Sequence, residues 1–289
     1  MVIEFQGISK RYGKKIALRD FSATLKPGIY GLLGANGAGK TTLINLLVGL
    51  LKADSGRILV DGTDTRTLGR DFLSQIGYLP QYPEFYHDFT VKEFLRYMCA
   101  LKGIDARKGW RQAQELLQAV NLQDIEGKKI GALSGGMRQR LGIVEAVLGD
   151  PNILILDEPT AGLDPQERIR FRNLITRFSK DRTVLLATHI VSDVEFIANE
   201  VMILKEGSLI RQGAPKALED ELDGMVWTVT ISSDTEQDQF ADVKISNMRR
   251  DENGIVLRLI AQDKPHPDAQ LVRPSLEDVF LSFFGEAGV

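Results

Sequence analysis

Gly34-Ala35-Asn36-Gly37-Ala38-Gly39-Lys40-Thr41 is a glycine-rich loop that ends in a lysine and a hydroxyl residue, and it separates two apolar runs of different character. Before it, residues 29–33, set off by Pro27-Gly28, have the length of a buried strand; after it, residues 41–51 are apolar at helical spacing. Strand, loop and helix in that order are the context a phosphate loop requires. Glycines let consecutive backbone N–H groups converge on phosphate oxygens without interference from Cβ atoms, Lys40 adds a cation at the β and γ phosphates, and the Thr41 hydroxyl ligates Mg2+.

Upstream, residues 2–25 alternate short β-prone stretches with polar turns, which predicts antiparallel strands leading into the buried one. Downstream, residues 57–60 read as a strand, and residues 82–148 read as a helical insertion with helices over 91–102, 109–119 and 137–148. The alternation then returns: a strand at 153–156, a helix with Phe171, Leu174, Ile175 and Phe178 on one face, a strand at 183–187 and a helix near 191–199. Repeating β-α units predict a largely parallel sheet, so the fold class is α/β. After Gly213 the texture changes. Residues 225–231 and 254–259 read as strands, Asn253-Gly254 as a tight-turn signal, and a helix is expected from Ser275, where Ser275 and Asp278 stand at capping spacing behind Pro274. This predicts a nucleotide-binding domain over 1–215, with its helical subdomain at about 82–148, and a small C-terminal α+β domain over 220–289.

The length of 289 residues has room for roughly two domains. No window approaches the roughly 18 apolar residues of a membrane span; residues 43–51 form the most apolar stretch and read as a core helix. The opening Met1-Val2-Ile3-Glu4-Phe5-Gln6 lacks the basic flank and apolar core of a secretory signal, so the chain is expected in the cytosol. Cys99, the single cysteine, has no disulfide partner and no metal-ligand spacing around it, and reads as a buried thiol. With a net charge of -3 and only small basic clusters at Lys10-Arg11 and Lys14-Lys15, binding of nucleic acid through counterion release is not favoured.

Two further stretches carry chemistry. Ile153-Leu154-Ile155-Leu156-Asp157-Glu158-Pro159 is an apolar strand ending in two carboxylates, at the end of a parallel sheet where functional groups are normally presented. Asp157 is suited to hold Mg2+ through water, and Glu158 to accept a proton from an attacking water. Upstream lies Leu133-Ser134-Gly135-Gly136-Met137-Arg138-Gln139-Arg140, whose small residues open a helix and so form an anion site.

This ordered set resembles the ATP-binding cassette (ABC) ATPases, and the resemblance covers residues 1–215. It implies a P-loop NTPase (RecA-like) core with an antiparallel β subdomain and a helical subdomain, ATP and Mg2+ as cofactors, and ATP hydrolysis coupled to transport. It further implies that Tyr12 stacks on adenine, a place that a Tyr packed in a β hairpin would also fill. Gly34, Asn36, Gly37, Gly39, Lys40, Thr41 and Thr42 surround the phosphates. Thr41, Gln81 and Asp157 serve the metal. Glu158, His189, Gln81 and Lys40 act in hydrolysis. Ser134, Gly135, Gly136 and Asp164 meet the nucleotide bound by a second ABC ATPase subunit, a homodimer partner. Met137 stands where the commonest form of the signature has glutamine.

The resemblance also implies an integral membrane permease as partner and a peripheral place on the cytoplasmic face of the cell membrane. Tyr82, Phe85, Tyr86 and Phe89 match the region that receives a short permease helix, although core packing explains the same aromatics about as well. The ending Pro274-Ser275-Leu276-Glu277-Asp278-Val279-Phe280 resembles the exporter branch whose permease is a separate chain. The alternatives are a soluble ABC-type ATPase of translation or chromosome maintenance, and an importer ATPase.

Overall fold

Two long strands, β1 (Ile3–Tyr12) and β2 (Lys15–Leu25), begin the chain as an antiparallel pair that buries Ile3, Phe5, Ile8, Leu18 and Phe21. Strict alternation would bring Gly7 inward after Phe5. A register shift between Phe5 and Ile8 brings Ile8 to the core instead. The next elements are β3 (Gly28–Leu33), α1 (Lys40–Leu47), β4 (Ser55–Val60), β5 (Thr63–Asp64), two single-turn helices, α2 (Thr65–Leu68) and α3 (Arg70–Leu73), and β6 (Ile76–Leu79). Three longer helices follow: α4 (Val91–Leu101), α5 (Ala106–Ala119) and α6 (Gly135–Val147). Next are β7 (Ile153–Asp157), α7 (Pro165–Phe178), β8 (Thr183–Thr188), β9 (Glu200–Lys205) and β10 (Ser208–Gly213).

The computed structural model describes residues 1–232, 239–252 and 254–284, which divide into a unit of Met1–Arg211 and a unit of Gln212–Val289. In the first, β1 also pairs antiparallel with β4, giving the sheet order β2-β1-β4-β5. A second sheet runs β10-β9-β3-β8-β7-β6, with β9, β3, β8, β7 and β6 mutually parallel. Every residue of β7 and β8 is buried, the mark of a parallel sheet covered on both faces. One core joins both sheets to α1: Phe5 and Phe21 meet edge to face at 5.4 Å, and Leu43, Ile44, Ile155 and Leu185 belong to the same cluster.

Several expectations need correction. The helix after the glycine-rich loop ends at Leu47, not at residue 51: Gly49 takes a φ of +77° that breaks the helix, and Leu50 is exposed. Residues 191–199 do not form a helix. Only Val191–Asp193 makes a 3-10 turn; Ile190 N donates to Thr188 Oγ1 before it, and Asn199 is drawn to the remote β3, where its Oδ1 accepts from Ile29 N at 2.7 Å and its N–H donates to Ile29 O. The second insertion helix starts at Ala106 rather than 109, since the Asp105 carboxylate caps the N–H groups of Arg107 and Lys108. Strands β6, β9 and β10 escaped the sequence pattern, as did the strand Lys244–Asp251 of the second unit. Leu174 is half-buried beside the buried Phe171, Ile175 and Phe178.

The second unit holds α8 (Pro215–Asp220), β11 (Val226–Ile231), β12 (Lys244–Asp251), β13 (Gly254–Ile260), β14 (Gln270–Leu271) and α9 (Leu276–Phe284), with sheet order β12-β13-β11-β14. The β12–β13 hairpin closes at the pair Asp251 and Gly254; Asn253 of the expected turn lies outside the described residues. Asp278, 1% exposed, accepts from Arg258 Nη2 at 2.7 Å and exchanges bonds with Ser275 at the start of α9. Burial pushes its carboxyl up, but the bonds from Arg258, Ser246 and Ser275 outweigh that, and its pKa is held below 3.8.

Gly39 begins α1 at a φ of +113°, and a Cβ there would lie 2.5 Å from the carbonyl oxygen of Ala17. Gly39→Ala is therefore expected to destabilise the first unit by about 1–3 kcal/mol in thermal or denaturant unfolding; an unchanged midpoint would show that the loop accommodates the methyl group. Asp278→Ala is expected to cost the second unit about 3 kcal/mol by leaving Arg258 without its partner. Because the native carboxyl titrates below 3.8, its contribution is full at neutral pH and is lost as pH falls through that lower value. The gap between wild type and variant should therefore narrow below about pH 4; a gap independent of pH would contradict the charged role.

Candidate functional site

The parallel strands β3, β7 and β8 deliver three loops to one end of the sheet, and α1 begins there. Tyr12, Lys15 and Ala17, from the hairpin of β1 and β2, form one wall of a cleft of about 350 Å3. Asn36, Gly37, Gly39, Lys40, Thr41 and Thr42 also line it, as do Gln81 and Glu158. Nine of the residues singled out in the sequence are thus brought together. Tyr12 is 47% exposed, so its ring is free to be covered.

Lys40 is buried, and its Nζ donates to Gly34 O at 2.7 Å and lies 3.3 Å from Glu158 Oε1. The other carboxylate oxygen of Glu158 is 2.9 Å from His189 Nδ1. Glu158 holds a φ of +46°, rare for a residue with a side chain, while its N–H continues the sheet by donating to Ala187 O. Cation, carboxylate and imidazole therefore form one chain across the ends of α1, β7 and β8, an arrangement that positions a carboxylate and a proton-carrying ring side by side.

Asp157 ends β7 beneath this row. Its Oδ1 is buried without a hydrogen-bond partner among the described residues. Burial pushes its carboxyl up, and the Thr41 hydroxyl opposes the rise. The nearby Tyr78 phenol is pushed up to about 12 by burial and by the charge of Asp157. An unpartnered buried oxygen beside a threonine hydroxyl is a fit for a hard cation. Among the described residues no cluster of three or more His, Cys, Asp or Glu could hold a metal ion by itself. An ion here would need Thr41, Gln81, water or phosphate oxygens to complete its shell.

Ser134, Gly135, Gly136 and Asp164 do not line this cleft. Ser134 caps α6, accepting from Met137 N at 3.3 Å, and Asp164 caps α7, accepting from Glu167 N at 2.8 Å. The two helix starts are neighbours, linked through Arg140 and Glu167 at 3.6 Å. Gly135 has no atom within 4 Å of where a Cβ would stand, so the turn is open on that side. Met137 leaves the cap intact, because only its backbone N–H takes part.

Sequence reasoning overlooked Lys15, although its cluster with Lys14 was visible. It read Gln139 only as part of the Ser134 motif and did not foresee that its Nε2 donates to Pro159 O at 2.7 Å, nor the buried bond between Thr160 and Asp193. Neither contact had a sequence signal, since each joins loops distant along the chain. Cys99 is buried, and burial pushes its thiol up, as expected of a packing residue.

The family described as ABC transporter matches residues 18–161. Nod factor export ATP-binding protein I of Burkholderia orbicola is 38% identical over 218 residues, covering 75% of this chain and 72% of that protein. The protein of the same name from Rhizobium sp. is 32% identical over 297 aligned positions, covering 99% of this chain and 97% of its own. A solved ATP-binding subunit of an ABC transporter superposes with a TM-score of 0.70 at 27% identity, over 76% of this chain and 93% of its own. A soluble ATPase of translation or chromosome maintenance is not favoured by these relatives. The chain belongs to the ATP-binding proteins of ABC transporters: it binds ATP, and it is the ATPase subunit that drives transport with a membrane permease.

Proposed function

We propose that the chain is the motor of an exporter, that two copies close head to tail around two ATP molecules, and that each site combines the cleft of one copy with the α6 start of the other. The observation that carries this reading is the separation just described: the cleft holds Lys40, Thr41 and Glu158, whereas the capped, open turn of Ser134, Gly135 and Gly136 lies elsewhere on the surface. An anion site at a helix N-terminus that does not line its own cleft is suited to the γ-phosphate bound by a partner. Asp164, beside it at the start of α7, would cross the same interface. Two identical surfaces used reciprocally give a closed dimer.

In this reading Tyr12 stacks on the base, and Gly34, Asn36, Gly37, Gly39, Lys40, Thr41 and Thr42 hold the phosphates. Thr41, Asp157 and Gln81 would hold Mg2+, which would supply positive charge against the negative charge developing on the phosphates. Glu158 accepts the proton of the attacking water, and His189, hydrogen-bonded to it, orients it and faces the γ-phosphate. Lys40 must exchange its bond to Gly34 O for phosphate when nucleotide binds, which loosens its hold on Glu158.

Residues 1–215 are assigned to nucleotide binding and 220–289 to an accessory domain. The export named in the relatives supports the direction of transport, and the near-complete match of the Rhizobium protein extends that support to the accessory domain. No described helix is long and apolar enough to cross a membrane. The resemblance to exporter motors supports a permease on a separate chain that holds this one at the cytoplasmic face. Of the aromatics after Gln81, Phe85 is buried edge to face against Phe94, whereas Tyr82 and Tyr86 are exposed and are offered as the seat of a short permease helix.

Glu158→Gln is expected to keep ATP affinity, to lower turnover by about 100-fold or more, and to form an ATP-dependent dimer in light scattering. Undiminished hydrolysis would remove Glu158 as the base, and a monomer at saturating ATP would remove the shared site. Lys40→Ala is expected to weaken ATP binding about tenfold or more in calorimetry; normal affinity would overturn the assignment of the loop. Copurification of Glu158→Gln with ATP from solubilised membranes should recover a polytopic membrane protein, and its absence would contradict the permease assignment.

A further inference from the structure

Thr160 stands two residues beyond Glu158 and is completely buried; its hydroxyl donates to Oδ2 of Asp193, which is 1% exposed in the loop that follows His189. The bond joins the turns at the ends of β7 and β8. Each turn is also fixed by a second contact: Pro159 O accepts from Gln139 of α6, and Ser192 O accepts from Arg172 Nη1 of α7 at 2.6 Å. Between these anchors sits Glu158 with its φ of +46°, a conformation that persists only where the surroundings over-determine it.

A buried acid is a poor way to stabilise a fold. Replacing such a polar pair by apolar groups of the same shape is often neutral or favourable, because the carboxylate loses its water. The groups facing Asp193 are Thr160, Arg168, Arg172 and Glu158. Arg172 directs a hydrogen bond to the Ser192 carbonyl, and Arg168 one to the Leu163 carbonyl at 3.2 Å, so both cations brace the loops around the acid. Burial pushes the Asp193 carboxyl up, with Thr160 opposing the rise. The arrangement is one of placement.

We propose that Thr160 and Asp193 form a tether that makes the Glu158 turn and the His189 loop a single rigid body, so that Asp193 is a positioning residue for ATP hydrolysis. The tether rests on the reading of Glu158 as the base. It acts through geometry: the 2.9 Å contact of Glu158 with His189 is held at both ends only while the two turns keep their spacing.

Thr160→Val in the full chain keeps the side-chain shape and removes the donor. Its kcat is expected to fall roughly 10- to 100-fold, the cost of a catalytic group misplaced by a fraction of an ångström to about 1 Å, with the KM for ATP unchanged within about twofold. Thr160→Ser, which restores the hydroxyl, should recover most of the rate, and Asp193→Ala added to Thr160→Val should cost nothing further. Amide exchange in residues 158–163 and 189–194 should rise together in Thr160→Val. A wild-type rate in that variant, failure of serine to rescue, losses that multiply, or exchange that rises in one turn alone would each overturn the tether. Glu158→Gln assayed in parallel separates the two readings. Normal hydrolysis there removes the base assignment, whereas an inactive Glu158→Gln beside a fully active Thr160→Val removes the tether alone.

Discussion

Lys40 and Glu158 face each other at 3.3 Å with side chains only 6% exposed. A pair so buried adds less to stability than its Coulomb attraction suggests, because both charges give up water. Its larger effect is positional. It ties the start of α1 to the end of β7, and through the second carboxylate oxygen it reaches His189 at the end of β8. Three segments remote in the chain are thereby held at one end of one sheet, and the rest of the first unit can be understood as what keeps them there.

The parallel register does most of that work. Asp157 pairs with Ala187 and Leu33 with Thr188, so the three strands end level and their loops emerge side by side. A slip of one residue would move every side chain of a strand to the opposite face of the sheet and carry the carboxylates with them. Close approach of backbone to backbone is part of the same scheme. At Gly77 of β6 a Cβ would stand 2.0 Å from the carbonyl oxygen of Ala146, so only glycine lets α6 lie this close to the sheet. That contact positions the helix whose first turn carries Ser134.

Side-chain caps recur at helix starts outside the cleft, whereas α1, which opens into it, has none. Ser134 caps α6 and Asp164 caps α7, and the capping box of Thr90 and Glu93 starts α4. A side-chain cap satisfies one orphan N–H and leaves others pointing outward. The second unit uses it differently: Ser275 and Asp278 cap α9, and the carboxylate also receives Arg258, which binds helix to sheet.

The sequence by itself determined the elements whose signals are local. The glycine-rich loop lies between a five-residue apolar run and a helical one, the carboxylates close an apolar strand, and capping residues stand at fixed offsets; each of these depends on near neighbours, which the chain order displays. It failed where partners are distant. The stretch at 191–199 has helical composition, yet it closes only short turns, and its two ends are drawn to remote partners, Asp193 to Thr160 and Asn199 to Ile29. Strands β9, β10 and β12 gain their identity from the sheets they join rather than from their own pattern. Which residues share the cleft, that Lys15 is among them, that Gln139 and Asp193 brace the Glu158 turn, and that Asp157 keeps an unpartnered oxygen were decided by tertiary structure alone, because burial and pairing between remote segments are properties of the packed chain and not of any stretch within it.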